Sequence, residues 1–143
     1  MKLPDTIAML RTLVAEPSTS SVTTSRDQSN LAVINHLANW LQGLKFVVEV
    51  LPIPGKVGKA NLIATLGAGE GGLVLSGHTD TVPCDEKYWR TDPYTLTEIG
   101  SVVHGLGSCD MKGFFPIALE AASLLRNEKL KKPLTILATS DEE

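Results

Sequence analysis

The stretch "GGLVLSGHTDTVP", residues 71 to 83, constrains this chain more than any other part of it. Its first half is a short apolar run bounded by glycines, which reads as a strand. Packing gives no reason for such a strand to end on His78 and Asp80, one on either side of Thr79. Residues two apart on an extended segment point to the same side, so the imidazole and the carboxylate share a face.

The rest of the chain alternates helix and strand patterns. "LPDTIAMLRTLVAE" carries Ile7, Leu10, Leu13 and Val14 on one helical face, and Pro17 stops it. The polar run "PSTSSVTTSRDQ" is a connection too short to link two domains. A second helix is expected over residues 27–44, where Leu31, Ile34, Leu37, Ala38 and Leu41 form an amphipathic stripe and Gly43 weakens the end. Strand patterns follow in "FVVEVLPI", "ANLIATL" and "GLVLSG", with weaker ones at "YTLTEI" and "SVVHG". Residues 111–126 read as a helix with Pro116 in its first turn or at a kink. In the last strand, "PLTILATS", the adjacent Ile136 and Leu137 indicate burial on both faces of a central sheet. This order indicates an α/β fold, three-layer α/β/α with a mixed central sheet, and 143 residues suffice for one domain.

Charge and composition exclude several classes. A net charge of −3, with one small basic cluster in "NEKLKKP" that suits a solvated helix end, argues against nucleic acid or an anionic membrane as partner. No run reaches the roughly 20 apolar residues of a membrane span, and "MKLPDTIAML" lacks the pattern of a signal peptide. Cys84 and Cys109 show neither disulfide-framework nor zinc-module spacing, which points to a reducing, cytoplasmic setting. "GAGEGG" at residues 67–72 matches G-x-G-x-x-G, but a strand follows it where a dinucleotide site needs a helix, so it reads as a loop.

Chemistry concentrates in three clusters at element ends: "GHTD" after a strand, "SCDMKG" before a helix and "TSDEE" after another strand. In open α/β sheets, sites form outside the carboxyl ends of strands. Each cluster alone has a plain alternative: His78 as a satisfied core histidine, Asp110 as a helix N-cap, and Asp141, Glu142 and Glu143 as a solvated acidic run. Together, one imidazole and several carboxylates make the nitrogen and oxygen donor set that zinc, cobalt or manganese accepts. Asp80 is then placed to orient the imidazole while the other ring nitrogen binds metal.

"SGHTDTVP", "GLGSCDMKG" and "ATSDEE", in this order, resemble the motifs of the two-zinc amidohydrolases and exopeptidases, a family that includes aminoacylases, succinyl-diaminopimelate desuccinylase and acetylornithine deacetylase. "DQSN", "GGLVLSGHTDTVPCD", "TDPYTLTE" and "GLGSCDMKGFF" are most similar to its acetylornithine-cleaving branch, and the likeness covers essentially the whole chain. The resemblance implies a zinc-exopeptidase-like fold and metal-dependent hydrolysis of the linear amide of N2-acetyl-L-ornithine in arginine biosynthesis. The alternative substrates are N-succinyl-diaminopimelate or a related acylamino acid or peptide. It implies two divalent ions, zinc with cobalt as the alternative, with His78 and Glu143 as terminal ligands and Asp110 bridging. It makes Glu142 the general acid/base, Asp80 the carboxylate that orients His78, and Asp110–Met111 a cis peptide.

Family members continue well past the "DEE" motif, with further ligands and a lid domain that dimerises. The expectation is that residues 1–143 are the N-terminal part of the catalytic domain of a homodimeric enzyme, binding metal weakly and turning over little alone. A non-catalytic remnant or partner-binding module is the reading from another class. Cys109 is expected to be small and buried, His36 and His104 structural, and Lys112 either in contact with substrate or packed by its stem.

Overall fold

The computed structural model describes residues 3–125 and 127–143, and among these it has three α-helices and two sheets. The first helix, α1 (Thr6–Val14), starts where the Asp5 side chain accepts a hydrogen bond from the Ala8 N–H at 2.8 Å, and it buries Met9, Leu10, Leu13 and Val14. The second, α2, runs Leu31–Gly43 rather than from residue 27. The four residues before it are used otherwise: Gln28 exchanges hydrogen bonds with Thr19, and Asn30 donates its backbone N–H to Gly58. Short polar side chains compete with the helix for such bonds, and here they win. The buried stripe of α2 is Val33, Ile34, Leu37, Trp40 and Leu41, while Leu31, expected within it, is exposed in the first turn.

The strands are β1 (Val47–Pro52), β2 (Ala60–Leu66), β3 (Leu73–His78), β4 (Thr97–Ile99), β5 (Val102–His104) and β6 (Leu134–Thr139), with α3 (Phe114–Ser123) between β5 and β6. Four of them form a mixed sheet in the order β1-β2-β6-β3, in which only β3 and β6 are parallel. β4 and β5 make a separate antiparallel hairpin. Pro116 lies in the first turn of α3, where its missing N–H costs nothing, and the helix starts at Phe114 rather than Met111. Arg126, the expected last residue of that helix, lies outside the described residues.

The helices pack on one face of the sheet. There Leu62, Ala64, Leu134, Ile136 and Ala138 meet Met9 and Leu13 of α1, Leu37 and Leu41 of α2, and Phe115 and Leu119 of α3. Gly77 admits the α3 end of this core, since a Cβ on it would sit 2.8 Å from Phe114 Cδ1. The register turns Val74, Ile63 and Leu137 to the other face, where Val74 is exposed and the other two are half-buried. The expected burial of both Ile136 and Leu137 is therefore realised only for Ile136, because among the described residues no helix covers the second face. A smaller cluster of Leu10, Val14 and Leu96, with Ile7 and Val103 against it, ties the hairpin to α1.

Asn30 joins the layers. Fully buried ahead of α2, it donates to the Ala60 carbonyl and to Thr79 Oγ1, both at 2.8 Å, and accepts from the Ala60 N–H at 3.0 Å. Replacing it by Ala takes the side-chain acceptor from the buried Ala60 N–H, at about 1–3 kcal/mol for an unsatisfied group, while Thr79 Oγ1 keeps its bond to the Thr139 carbonyl. We expect Asn30→Ala to lower the urea midpoint accordingly; a midpoint within error of the parent would show that these bonds are not formed.

Candidate metal centre

Parallel pairing sets the carboxyl ends of β3 and β6 side by side, with His78 opposite Thr139. The chain leaving β3 stays attached: the Thr79 N–H and Oγ1 both donate to the Thr139 carbonyl, at 2.9 and 2.8 Å. On its other side, Ser18 Oγ donates to the Thr79 carbonyl at 2.7 Å, and Thr19 forms a parallel bridge with Thr81. The polar connection of residues 17–28 thus becomes the wall behind the "HTD" segment.

Three motifs meet at this end of the sheet. His78 is buried at 6% exposure, and its Nδ1 donates to the Asp80 carbonyl at 3.1 Å. With Nδ1 protonated, Nε2 carries the ring's lone pair. It lies 3.1 Å from Asp110 Oδ1 and 3.8 Å from Glu142 Oε2. Donor atoms of His78, Glu142 and Glu143 all lie within 4.8 Å of one another. Asp110 does not cap α3, whose N-cap is Gly113, and its carboxylate is exposed toward the cluster. The Asp110–Met111 peptide is cis.

Asp80 lies underneath with no exposed surface. Its Oδ2 accepts the backbone N–H groups of Glu142 and Glu143, at 2.9 and 3.0 Å. Its Oδ1 has no hydrogen-bond partner and sits 3.7 Å from His78 Nδ1. A buried carboxylate oxygen without a donor is costly. A small turn of the imidazole would satisfy it and would keep Nε2 directed at the carboxylates, the arrangement found where a carboxylate orients a histidine on a metal. The donor set of one imidazole nitrogen and several carboxylates, with that oxygen behind it, fits a divalent cation. Burial, the Asp110 charge and the other neighbouring carboxylates push the Glu143 carboxyl above its ordinary range, against the pull of His78. Such crowding of acidic groups is what a bound cation relieves.

Lys59 was not legible in advance as part of this end of the fold. Lys59 is almost wholly buried, with its Nζ 2.9 Å from Asp27 Oδ1 and 3.1 Å from Asp141 Oδ1. Burial lowers its pKa, but the two carboxylates outweigh burial and the net shift is upward. Burial likewise works against ionisation of Asp141, yet Lys59, Lys56 and Ser20 bring its carboxyl down to about 2. The visible hint was a lone lysine against an apolar strand, in "GKANLIATL". Lys112 is 1% exposed and its Nζ donates to the Glu16 carbonyl at 2.7 Å, so it is packed by the site. Burial pushes its pKa down to about 8, opposed by Glu16 and Asp80. Cys109 is exposed, contrary to expectation, because the loop turns Leu106, Lys112 and Gly113 inward and Cys109 and Asp110 outward. His36 pairs with Glu16 at 3.1 Å and His104 lies exposed on β5, both away from the cluster.

Among known proteins, residues 74–143 match the peptidase family M20/M25/M40. Among particular relatives, the chain is 53% identical over 143 residues to acetylornithine deacetylase of Proteus mirabilis, which is all of this chain and 37% of that protein. It is 52% identical over 142 residues to acetylornithine deacetylase of Pasteurella multocida, 99% of this chain and again 37% of the relative. The chain thus spans 37% of the length of these curated relatives. Of solved structures, human carnosine dipeptidase 1 superposes with a TM-score of 0.80 at 26% identity, over 96% of this chain and 32% of that one. An M20 family metallo-carboxypeptidase from Sulfolobus solfataricus gives 0.79 at 20% identity, over 96% and 31%, a likeness of fold. No helix among the described residues is long and apolar enough to cross a membrane.

Asp141 yields a pH prediction. Its carboxyl ionises at about 2 in the folded chain against an ordinary 3.8, so its contribution is complete above 3.8 and is lost as pH falls toward 2. That shift corresponds to about 2 kcal/mol. The stability gap between the parent and Asp141→Asn should close as denaturation is measured from pH 4 down to about 2. A gap independent of pH would contradict the ion pairing.

Proposed function

We propose that this chain carries part of the active site of a divalent-metal amidohydrolase that cleaves N2-acetyl-L-ornithine to L-ornithine and acetate, serving arginine biosynthesis in the cytoplasm. The observation that carries the reading is the convergence of His78 Nε2, Asp110, Glu142 and Glu143 over the buried Asp80. The 53% identity to an acetylornithine deacetylase supports this substrate over N-succinyl-diaminopimelate.

Zinc is the ion we assign, with cobalt as the alternative, because both accept nitrogen and oxygen donors. His78, Asp110 and Glu143 are the residues that would hold it. When bound, the ions supply Lewis acidity toward the acyl carbonyl and toward water. Asp80 keeps the imidazole oriented, so that Nε2 is offered and Nδ1 stays protonated. Glu142 takes the proton of the attacking water and passes it to the departing amine nitrogen as the C–N bond breaks. We assign residues 1–143 to the N-terminal part of the catalytic domain, and the remaining ligands and a homodimer contact to sequence outside it. Besides a second copy of the protein, a small acylamino acid is the partner this reading requires.

In the native-length protein, Glu142→Gln should lower kcat by about 10²–10⁴-fold, the usual scale of a lost general acid–base. Metal content, read by elemental analysis, should stay near the parent's; loss of metal would move Glu142 into the ligand set. The parent should also hydrolyse N2-acetyl-L-ornithine with a higher kcat/KM than N-succinyl-diaminopimelate, and the reverse order would overturn the substrate assignment.

A further inference from the structure

Lysine is almost never fully buried unless it is paired, and Lys59, with a side chain 1% exposed, is wedged between Asp27 and Asp141 at 2.9 and 3.1 Å. We propose that Lys59 is a positioning residue of the metal centre, holding the turn at Asp141 so that Glu142 and Glu143 are aimed at His78. The proposal rests on the reading that these two glutamates serve a metal.

The turn is held from two sides by buried charges of opposite sign. Asp80 holds the backbone N–H groups of Glu142 and Glu143 from beneath. Lys59 holds the side chain of Asp141, the residue just before them, which has a left-handed backbone with φ 59°. Surrounding contacts must sustain a non-glycine residue in that conformation. Ser20 Oγ adds a bond to Asp141 Oδ1 at 2.9 Å, and the Ser140 N–H donates to Asn61 Oδ1 at 3.0 Å. Lys56 also reaches Asp141 at 3.1 Å, but its side chain is 57% exposed and an exposed pair contributes little. Asp27 is fixed in turn by accepting the Ser21 N–H at 3.1 Å. A buried ion pair is a poor device for stability, since apolar residues of the same volume often do as well. Its worth here is the direction it imposes on two carboxylates that Lys59 itself does not touch.

The test uses the native-length protein loaded with cobalt. Lys59→Met should lower kcat by about 10- to 100-fold, the usual effect of losing a group that supports metal ligands. KM should stay nearly unchanged, and the visible absorption of bound Co²⁺ should shift as the carboxylates relax. A folded Lys59→Met protein with parental kcat and Co²⁺ spectrum overturns the proposal. If that variant does not fold, Ser20→Ala and Asp141→Asn are read the same way: reduced kcat with an altered spectrum supports it, and parental values in both overturn it. Glu142→Gln run in parallel separates the two ideas. Full activity there removes the reading of the site, whereas its loss beside an unaffected Lys59→Met removes only the role of Lys59.

Discussion

Parallel pairing between β3 and β6 is the constraint on which the site depends. These strands are far apart in sequence, and a parallel connection requires a crossover, here the segment that ends in α3. The consequence is that both strands finish at the same edge, so that "HTD" and "DEE" emerge together. A slip of one residue would turn His78 toward the helices. Burial of Leu134, Ile136 and Ala138 against α2 and α3 prevents that slip. The loop before α3 opens at the same edge and brings Asp110 to His78.

Asp80 is the second element of the design. A carboxylate with no exposed surface is expensive unless its oxygens are used. One oxygen organises the backbone of Glu142 and Glu143, and the other faces the imidazole. A single buried charge thereby couples two strand ends, and the orientation of the histidine is linked to that of the acidic turn. The wall of Ser18, Thr19 and Asn30 behind it secures Thr79, which leaves the "HTD" segment little freedom.

The single covered face of the sheet also follows from topology. The three α-helices pack on the side of Leu62 and Ile136, while the side of Val74 and Leu137 is left exposed or half-buried. The alternation within β2 and β6 is thus a record of one packed layer.

Periodicity along the chain determined the elements, and the ligand types in "HTD", "CDMKG" and "DEE" pointed to the donor set proposed here, because both are local patterns. Even Pro116 and the cis peptide at Asp110 matched readings available from the residues or from their resemblance to a family. The start of α2 did not, since it was decided by hydrogen bonds that Gln28 accepts from Thr19 and Asn30 donates to Ala60. Nor did the exposure of Cys109, which depends on how a loop turns over the core. The roles of Asn30 and Lys59 belong wholly to the tertiary structure. An amide or an ammonium becomes obligatory only when folding buries it beside a particular carbonyl or carboxylate, and no spacing in the sequence records which one that will be.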